Sequence, residues 1–106
     1  MADGPAYVIG HITVRDPEKW AEYRRRVPGT LAPWDAELVF RGRRLAVLSG
    51  EHAHAEAVVI RFPSAAALAA WHGSPAYQAL IPLRQQAAAV VLIAYETGPA
   101  EPRPLT

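Results

Sequence analysis

Residues 6–20, AYVIGHITVRDPEKW, contain the point at which an extended chain passes into a helix. Residues 6–14 are rich in β-branched and aromatic side chains, which is typical of a β-strand. The strand ends near Asp16-Pro17, where aspartate is a favoured helix N-cap and proline suits the first helical position. We therefore expect a first strand that leads directly into a first helix.

The first helix is marked by an apolar stripe. Apolar residues recur at spacings of three and four from Trp20 to Leu31, while charged side chains fill the opposite side. Pro28-Gly29 should break this helix, because proline lacks the N–H of the helical ladder and glycine is a poor helix former. A short second helical piece is expected to follow, up to about Trp34.

The rest of the chain alternates between strand and helix signals. Alternation of apolar and polar residues predicts strands, and a serine ahead of an alanine-rich or proline-led run predicts a helix start. The predicted strands are residues 36–42, continued over 45–49, then 57–62 and 90–96, and the predicted helical runs are residues 64–72 and 75–88. Gly73 separates these two helical runs, which together fill one helical position of the fold.

The order strand, helix, strand, strand, helix, strand is that of a split βαβ unit. Right-handed crossovers place both helical positions on one face of a four-stranded antiparallel sheet. We therefore predict a ferredoxin-like α+β fold over residues 1–97, as one domain, because a chain of 106 residues leaves no room for a second core. Residues 98–106, GPAEPRPLT, contain three prolines and are expected to form an irregular tail.

Composition and charge narrow the classes of function. Eleven basic and ten acidic residues leave no field of one sign, so nucleic acid is not an expected partner. The chain has no cysteine, which removes thiolate catalysis and cysteine metal sites and fits a cytoplasmic location. No apolar run approaches the roughly 20 residues that span a bilayer, so we expect no membrane partner. A small molecule or another protein is the expected partner.

Side chains alternate along a strand, so each predicted strand can be divided between the two faces of the sheet. The first face is apolar and is expected to pack on the helices. Its members are Val8, Gly10, Ile12, Val14, Leu38, Phe40, Val58, Ile60 and Phe62. The second face mixes apolar and ionisable residues. Its members are Tyr7, Ile9, His11, Thr13, Glu37, Val39, Arg41, Val59, Arg61 and Tyr95.

The composition of the second face suits neither bulk water nor a closed core. Water does not require so many apolar side chains, and a closed core would not tolerate four ionisable ones. A homodimer in which two such faces meet would bury the apolar members and leave the polar ones lining a pocket. The simpler interpretation is a solvated face on which Glu37, Arg41 and Arg61 form ordinary cross-strand ion pairs.

Three segments of the chain resemble the domain of unknown function 1330 family, which belongs to the dimeric α+β barrel superfamily. They are PAYVIGHITVRDPEKWAEYRRRVPGTLA at residues 5–32, FRG at residues 40–42 and IRFPSAAALAAWHGSPAYQALIPLRQQAA at residues 60–88. The resemblance covers about residues 5–97. It implies a ferredoxin-like fold and a face-to-face dimer, and it implies no settled activity.

Relatives in the wider superfamily include cofactor-free monooxygenases, muconolactone isomerases, haem-dependent chlorite dismutases and aldoxime dehydratases. The resemblance therefore implies a site between the sheet and the helices. This chain departs from the family pattern at Asp35-Ala36, where members commonly have a Gly-Gly turn, and at His11, where many carry an acidic or aliphatic residue.

Three residues of the second face are the candidate catalytic residues. His11 lies in mid-strand, and histidine has an ordinary pKa near neutrality, so it could act as a general acid or base. Arg41 and Arg61 share its predicted face, and guanidinium groups bind carboxylate, enolate or phenolate oxygens. The alternative is structural, with His11 bonded to a neighbour and the arginines paired with Glu37.

Seven further residues are candidates for substrate binding, as members of the second face or of the family-like helical segment. They are Tyr7, Glu37, Tyr95, His72, Ser74, Tyr77 and Arg84. Tyr77 and Arg84 are seven residues apart and therefore lie on one helical face. A helix cap explains Ser74 equally well, and the helix dipole explains His72.

Other chemical motifs are weak or missing. His52 and His54 form an H-x-H pair in a polar connection, and two ligands without an assured third do not predict a metal site. The sequence contains no GxGxxG and no P-loop, so nucleotide chemistry is not indicated. We expect no cofactor.

The sequence thus favours a small cofactor-independent enzyme that acts by acid–base chemistry on an oxygen-rich metabolite. Isomerisation, cyclisation, dehydration and oxygenation all stay open, as does a place in a biosynthetic pathway. The alternatives are a non-catalytic homodimer that binds a small molecule or serves in stress, and an auxiliary protein that docks on a biosynthetic enzyme.

Overall fold

A computed structural model of the chain describes residues 4–97, so the tail predicted over residues 98–106 lies outside the described residues. The strands are β1 (Ala6–Val14), β2 (Glu37–Arg43), β3 (Glu56–Phe62) and β4 (Ala88–Glu96). The α-helices are α1 (Pro17–Leu31), α2 (Ala65–His72), α3 (Pro75–Gln78) and α4 (Ile81–Ala87), and a 3-10 turn follows α1 over Ala32–Trp34.

The four strands form one antiparallel sheet in the order β2-β3-β1-β4. The helices cover one face of it, which we call the inner face, and we call the opposite face the outer face. The described residues form a slab of 43 × 36 × 16 Å, a thickness that corresponds to one sheet and one helical layer. The four-stranded α+β fold predicted from the sequence is confirmed.

The core lies between the inner face and the helices. Its most deeply buried large side chains come from β1, β3, α2 and α3, and they are Ile12, Phe62, Trp71 and Tyr77. Burial alternates along β1 and β3, as the predicted division of these strands between two faces requires. No helix within residues 4–97 has both the length and the apolar character to cross a bilayer.

Helix α1 begins as predicted, because Asp16 caps it by accepting a hydrogen bond from the Lys19 N–H at 3.1 Å. The break predicted at Pro28-Gly29 is wrong. The helix continues through Pro28 to Leu31, and the Ala32 N–H donates to the Pro28 carbonyl. Proline has no N–H to donate to the carbonyl four residues before it. Pro28 lies on the exposed side near the helix end, so water can donate to that carbonyl instead.

The strand predicted over residues 45–49 is also wrong. The β2–β3 ladder ends where Arg43 stands opposite Glu56, and the Arg44 N–H then donates to the Ala55 carbonyl at 2.6 Å. Beyond that point the chain has no strand beside it to pair with, so an alternating pattern alone does not make a strand. Residues 44–55 form an extended connection outside the sheet, which we call the arm.

Candidate functional site

A β-bulge in β2 decides which face receives Arg41. Leu38 stands opposite Ile60 on β3, but Phe40 stands opposite Val59, so one extra residue is accommodated between them. Every side chain after the bulge therefore changes face. The predicted faces of Phe40 and Arg41 are wrong. Phe40 lies on the outer face, and Arg41, opposite Val58, points to the inner face.

Phe40 is fitted onto the outer face by a neighbouring glycine. A Cβ atom at Gly42 would lie 2.6 Å from the Cζ atom of the Phe40 ring, which is closer than atoms can approach. The ring therefore lies across the Gly42 backbone, where only glycine leaves room for it. The bulge and this glycine together keep Phe40 outside and Arg41 inside.

Arg41 reaches a small cavity between the inner face and α1, which we call the inner cavity. The cavity measures about 30 Å³, and a site of that volume holds roughly one water molecule or the tip of a ligand. Its walls are mostly apolar. The side chains in them that can donate hydrogen bonds are Trp20, Tyr23, Arg24, Arg41, Trp71 and Tyr77.

Two of these donors have no acceptor among the described residues. They are the Arg41 Nη1 and the Trp20 Nε1 atoms, and both are buried. Burial and the nearby Arg24 charge lower the pKa of Arg41, although an arginine keeps its charge at any physiological pH. The Arg41 side chain is only partly buried, but its Nη1 donor has no acceptor within residues 4–97, so this cavity suits a ligand that brings an oxygen with negative charge.

A chain of hydroxyl groups borders the same cavity. The Tyr23 and Tyr77 hydroxyl oxygens lie 2.7 Å apart, and Arg84 Nη1 donates to the Tyr77 oxygen at 3.0 Å. Burial, and after it the neighbouring Tyr77, raises the pKa of Tyr23 well above its usual range. Tyr23 therefore stays protonated and can donate, and the predicted proximity of Tyr77 and Arg84 is present.

The other predicted residues of the second face do lie on the outer face. Tyr7 stands opposite both Arg61 and Tyr95, in the middle of the sheet. Arg61 Nη1 donates to Glu37 Oε1 at 3.3 Å in an exposed ion pair, as the simpler interpretation of this face expected. Because the sheet separates them from Arg41, the three candidate catalytic residues do not meet in one site.

His11 belongs to a cluster of three imidazoles on the outer face. Its ring centroid lies 5.0 Å from that of His52, which lies 5.7 Å from that of His54. The Nδ1 atom of His54 shares a hydrogen bond of 2.9 Å with the Thr13 hydroxyl. Burial, followed by the charges of His52 and His54, lowers the pKa of His11, so its neutral form is favoured.

Ser74 and His72 lie at a helix boundary. The Ser74 hydroxyl donates to the Trp71 carbonyl at 2.7 Å and accepts from the Tyr77 N–H at 3.3 Å, which is a capping role. The exposed His72 offers its carbonyl to Gln78 Nε2 at 2.7 Å. Their contacts within residues 4–97 position Tyr77 rather than line the inner cavity.

Trp20 and Tyr23 are helical aromatic residues for which the sequence predicts packing in the core or at an interface, and it does not mark them as candidate site residues. Their spacing on the apolar stripe of α1 does place them against the sheet. What distinguishes them is an N–H or O–H at the end of an apolar ring, and whether that group finds a partner depends on tertiary packing. In the described part of the chain, no three carboxylate or imidazole side chains are arranged to hold a metal ion.

The sequence assigns this chain to a family, and its fold can be compared with solved structures. Residues 5–97 match the sequence profile of the domain of unknown function DUF1330, and the chain belongs to that family. No curated protein matches the chain by sequence. Dimeric ferredoxin-like proteins of unknown function are among the solved structures that the chain resembles, so the ferredoxin-like fold is confirmed.

Three of the similar structures show how widely activity varies on this fold. RPA0582 of Rhodopseudomonas palustris, of unknown function, has a TM-score of 0.77 at 21% identity, over 94% of this chain and 85% of that one. SnoaB of Streptomyces nogalater, a cofactor-independent oxygenase, scores 0.63 at 13% identity, over 96% and 100%. The hydroxynitrile lyase of Passiflora edulis scores 0.69 at 14% identity, over 94% and 99%. At these identities the likeness shows the fold alone.

Proposed function

We propose that this protein is a cofactor-independent enzyme that binds the anionic oxygen of a small oxygen-rich metabolite in the inner cavity. The observation that carries the proposal is a pair of buried donor atoms with no acceptor within residues 4–97, Arg41 Nη1 and Trp20 Nε1, at a cavity that Tyr23 and Tyr77 also line. A carboxylate, enolate or phenolate oxygen in this cavity would give either donor the acceptor it lacks.

The electrostatic part of the proposed chemistry belongs to Arg41. A guanidinium held among apolar side chains stabilises negative charge on a substrate oxygen more strongly than one in water. The same group would favour the enolate or phenolate form of a substrate over its neutral form. Isomerisation, cyclisation, dehydration and oxygenation of such a substrate can each proceed through an anion of this kind.

The hydroxyl donor in the proposal is Tyr23. Arg84 donates to the Tyr77 oxygen, which leaves the Tyr77 proton free to point at Tyr23. In that arrangement each group donates to the next, and the Tyr23 proton is directed at the ligand. The raised pKa of Tyr23 keeps its hydroxyl protonated, so Tyr23 serves as a hydrogen-bond donor to the anion rather than as a base.

In this proposal the outer face is the contact surface of a homodimer. Its apolar side chains Val91, Ile93 and Tyr95 are exposed by 44%, 38% and 49%, which is unusual for a row of large side chains in one sheet. Similar structures are described as dimeric. In this arrangement His11 and Arg61 belong to the interface, and only Arg41 keeps the catalytic role that the sequence suggested for all three.

A binding experiment tests the proposed site directly. Titration of the ¹⁵N-labelled protein with sodium acetate should move the indole N–H signal of Trp20, because the carboxylate gives it an acceptor. The Trp71 indole is the internal control, since its Nε1 already donates to the Thr30 hydroxyl at 3.0 Å. Equal movement of both signals, or of neither, would count against the site.

Catalysis is tested by proton exchange in D₂O at the carbon next to the carbonyl of a set of 2-oxo and 3-oxo acids. In exchange, the carbon-bound proton leaves to water and the electron pair is delocalised onto the oxygen held by Arg41. The Arg41→Gln variant should lose about 100-fold in rate, the usual cost of one oxyanion donor. Arg25→Gln is the matched control, because its guanidinium is exposed on α1, where it pairs with Glu22, and does not line the inner cavity.

The outcome of the two experiments also separates the alternatives. Binding of acetate at Trp20 without accelerated exchange on any substrate would favour a non-catalytic protein that binds small anions. Absence of both would leave two hypotheses from the sequence, a homodimer that serves in stress and an auxiliary protein that docks on a biosynthetic enzyme.

A further inference from the structure

The arm, residues 44–55, carries the most exposed large apolar side chains in the described part of the chain. Leu45 is 100% exposed and Leu48 is 95% exposed. Single exposed leucines are common on protein surfaces, but two on one projecting segment leave a large apolar area in water. A connection of about 12 residues without strand or helix is long for a compact domain, and such segments are commonly either functional or linkers.

The root of the arm is fixed to the protein. The Arg44 guanidinium donates to the carbonyls of His52 and His54 at 3.1 and 3.3 Å, and so ties the two sides of the arm together. The Ala55 N–H donates to the Ile12 carbonyl at 3.1 Å, which anchors the root to β1. The arm is therefore positioned by its root, and its tip projects from a defined place beside β2 and β3.

The outer face by itself offers little contact area. Four strands about 4.8 Å apart and about seven residues long cover roughly 20 by 23 Å, a flat area of roughly 450 Å². A stable interface buries about 800 Å² on each partner. A projected area is smaller than the accessible area that an interface buries, but it shows that the outer face is a modest contact surface, to which the exposed leucines of the arm would add apolar area.

We propose that the arm of each copy crosses to the outer face of a second copy and packs Leu48 near Ile93 of β4 in that copy. A two-fold axis that runs between the sheets along the strands places β2 of one copy above β4 of the other. The arm leaves the sheet beside β2, and β4 carries the exposed row Val91, Ile93 and Tyr95. This inference rests on the proposed homodimer and specifies how it closes.

In the same arrangement the second copy also reaches a pocket on the outer face, which we call the imidazole pocket. This pocket of about 210 Å³ is lined by residues of β1, β2, β3 and the arm, among them His11, Phe40, His52 and His54. It lies on the outer face, so a crossing arm and the facing sheet would form its missing wall. The pocket is then completed between copies, whereas the inner cavity is built by one copy alone.

Disulfide trapping tests the crossing, because the chain contains no cysteine of its own. Leu48→Cys and Ile93→Cys proteins, one of them ¹⁵N-labelled, are unfolded together, refolded and oxidised, and mass spectrometry identifies mixed dimers. We expect a mixed disulfide in high yield. Ala66→Cys replaces Ile93→Cys as the control, because Ala66 is exposed on α2 at the helical side. Equal trapping of Leu48→Cys with both partners would overturn the crossing.

A second measurement uses Leu45→Ser with Leu48→Ser in one chain. These side chains are almost fully exposed in a single copy, so the far-ultraviolet circular dichroism should not change. The dimer dissociation constant should rise by about 100-fold or more, because two leucines lose their burial. A dimer of unchanged affinity would overturn the proposal, since it would show that the arm packs elsewhere.

The failure of this inference can be distinguished from failure of the proposed function. A wild-type chain that sediments as a monomer would remove the homodimer and the crossing arm together, whereas the response of Trp20 to acetate concerns the inner cavity alone. A wild-type dimer that resists both tests would remove the crossing arm and retain the homodimer.

Discussion

The hydroxyl oxygens of Tyr23 and Tyr77 lie 2.7 Å apart, although 54 positions separate the two residues in the chain. Tyr23 comes from α1 and Tyr77 from α3, so this hydrogen bond joins the first helical position of the fold to the second. Arg84 of α4 adds a third member by donating to the Tyr77 oxygen. The candidate site thus depends on a contact that holds the helical layer together.

Removal of the Tyr77 hydroxyl should therefore destabilise the fold. In Tyr77→Phe the buried Tyr23 hydroxyl and the Arg84 guanidinium both lose a partner, and the free energy of unfolding should fall by about 1–3 kcal/mol. Urea unfolding followed by fluorescence measures the change. Tyr95→Phe is the control, because that residue is half exposed in a single copy, and equal effects of the two substitutions would contradict the assigned role.

The Trp71 indole provides a second buried hydrogen bond for testing. Its Nε1 donates to the Thr30 hydroxyl at 3.0 Å, and that hydroxyl donates in turn to the Val27 carbonyl at 2.7 Å. Thr30→Val keeps the shape but leaves the indole N–H without an acceptor, so we expect a loss of about 1–3 kcal/mol in unfolding free energy. Thr30→Ser retains the hydroxyl and should lose less. The reverse order would show that packing of the threonine methyl group dominates.

Acidification should destabilise the protein through His11. Its pKa in the folded chain lies below the ordinary value of 6.5, so the unfolded chain binds more protons between these two pKa values. The stabilising contribution is complete above pH 6.5, falls as the pH drops below it, and levels off below the folded pKa. Urea unfolding between about pH 5 and pH 8 should show this slope, and His11→Gln should reduce it. If the unfolding free energy of His11→Gln depends on pH as steeply as that of the wild type, other groups are responsible for the dependence.

Deletion of Val39 tests the bulge that places Arg41 in the inner cavity. With Val39 absent, Leu38 still faces Ile60 and the next residue still faces Val59, so Phe40 and Arg41 should keep their faces. The shortened chain should fold, with an unfolding free energy within about 1 kcal/mol of the wild type, because bulges at edge strands are local features. Its Trp20 signal should still respond to acetate. Loss of that response would mean that the whole strand had shifted register.

Much of the architecture follows from local pattern. The capping residues Asp16, Ser64 and Ser74 begin their helices where the sequence predicts, because each side chain bonds a backbone N–H three residues along. Burial alternates along β1 and β3 because a strand with one buried face has a period of two. These features depend on neighbours within a few residues, and local patterns report them well.

The candidate site depends on features that such patterns do not contain. Simple alternation puts Arg41 beside His11, and it fails at Val39 because a bulge arises from how two strands pair rather than from one strand's composition. An apolar stripe on a helix also does not reveal whether the N–H of Trp20 has an acceptor, because that depends on which other segments pack against the indole.

The sequence alone determined the order of the elements, their caps, the two-faced character of β1 and β3, and membership of the family. The tertiary structure decided that Arg41 and His11 lie on opposite sides of the sheet and that Tyr23 meets Tyr77. The physical reason is the distance along the chain over which each effect acts. Propensity and periodicity act over a few residues, whereas strand register and the partner of a buried polar group are set by segments far apart in the chain.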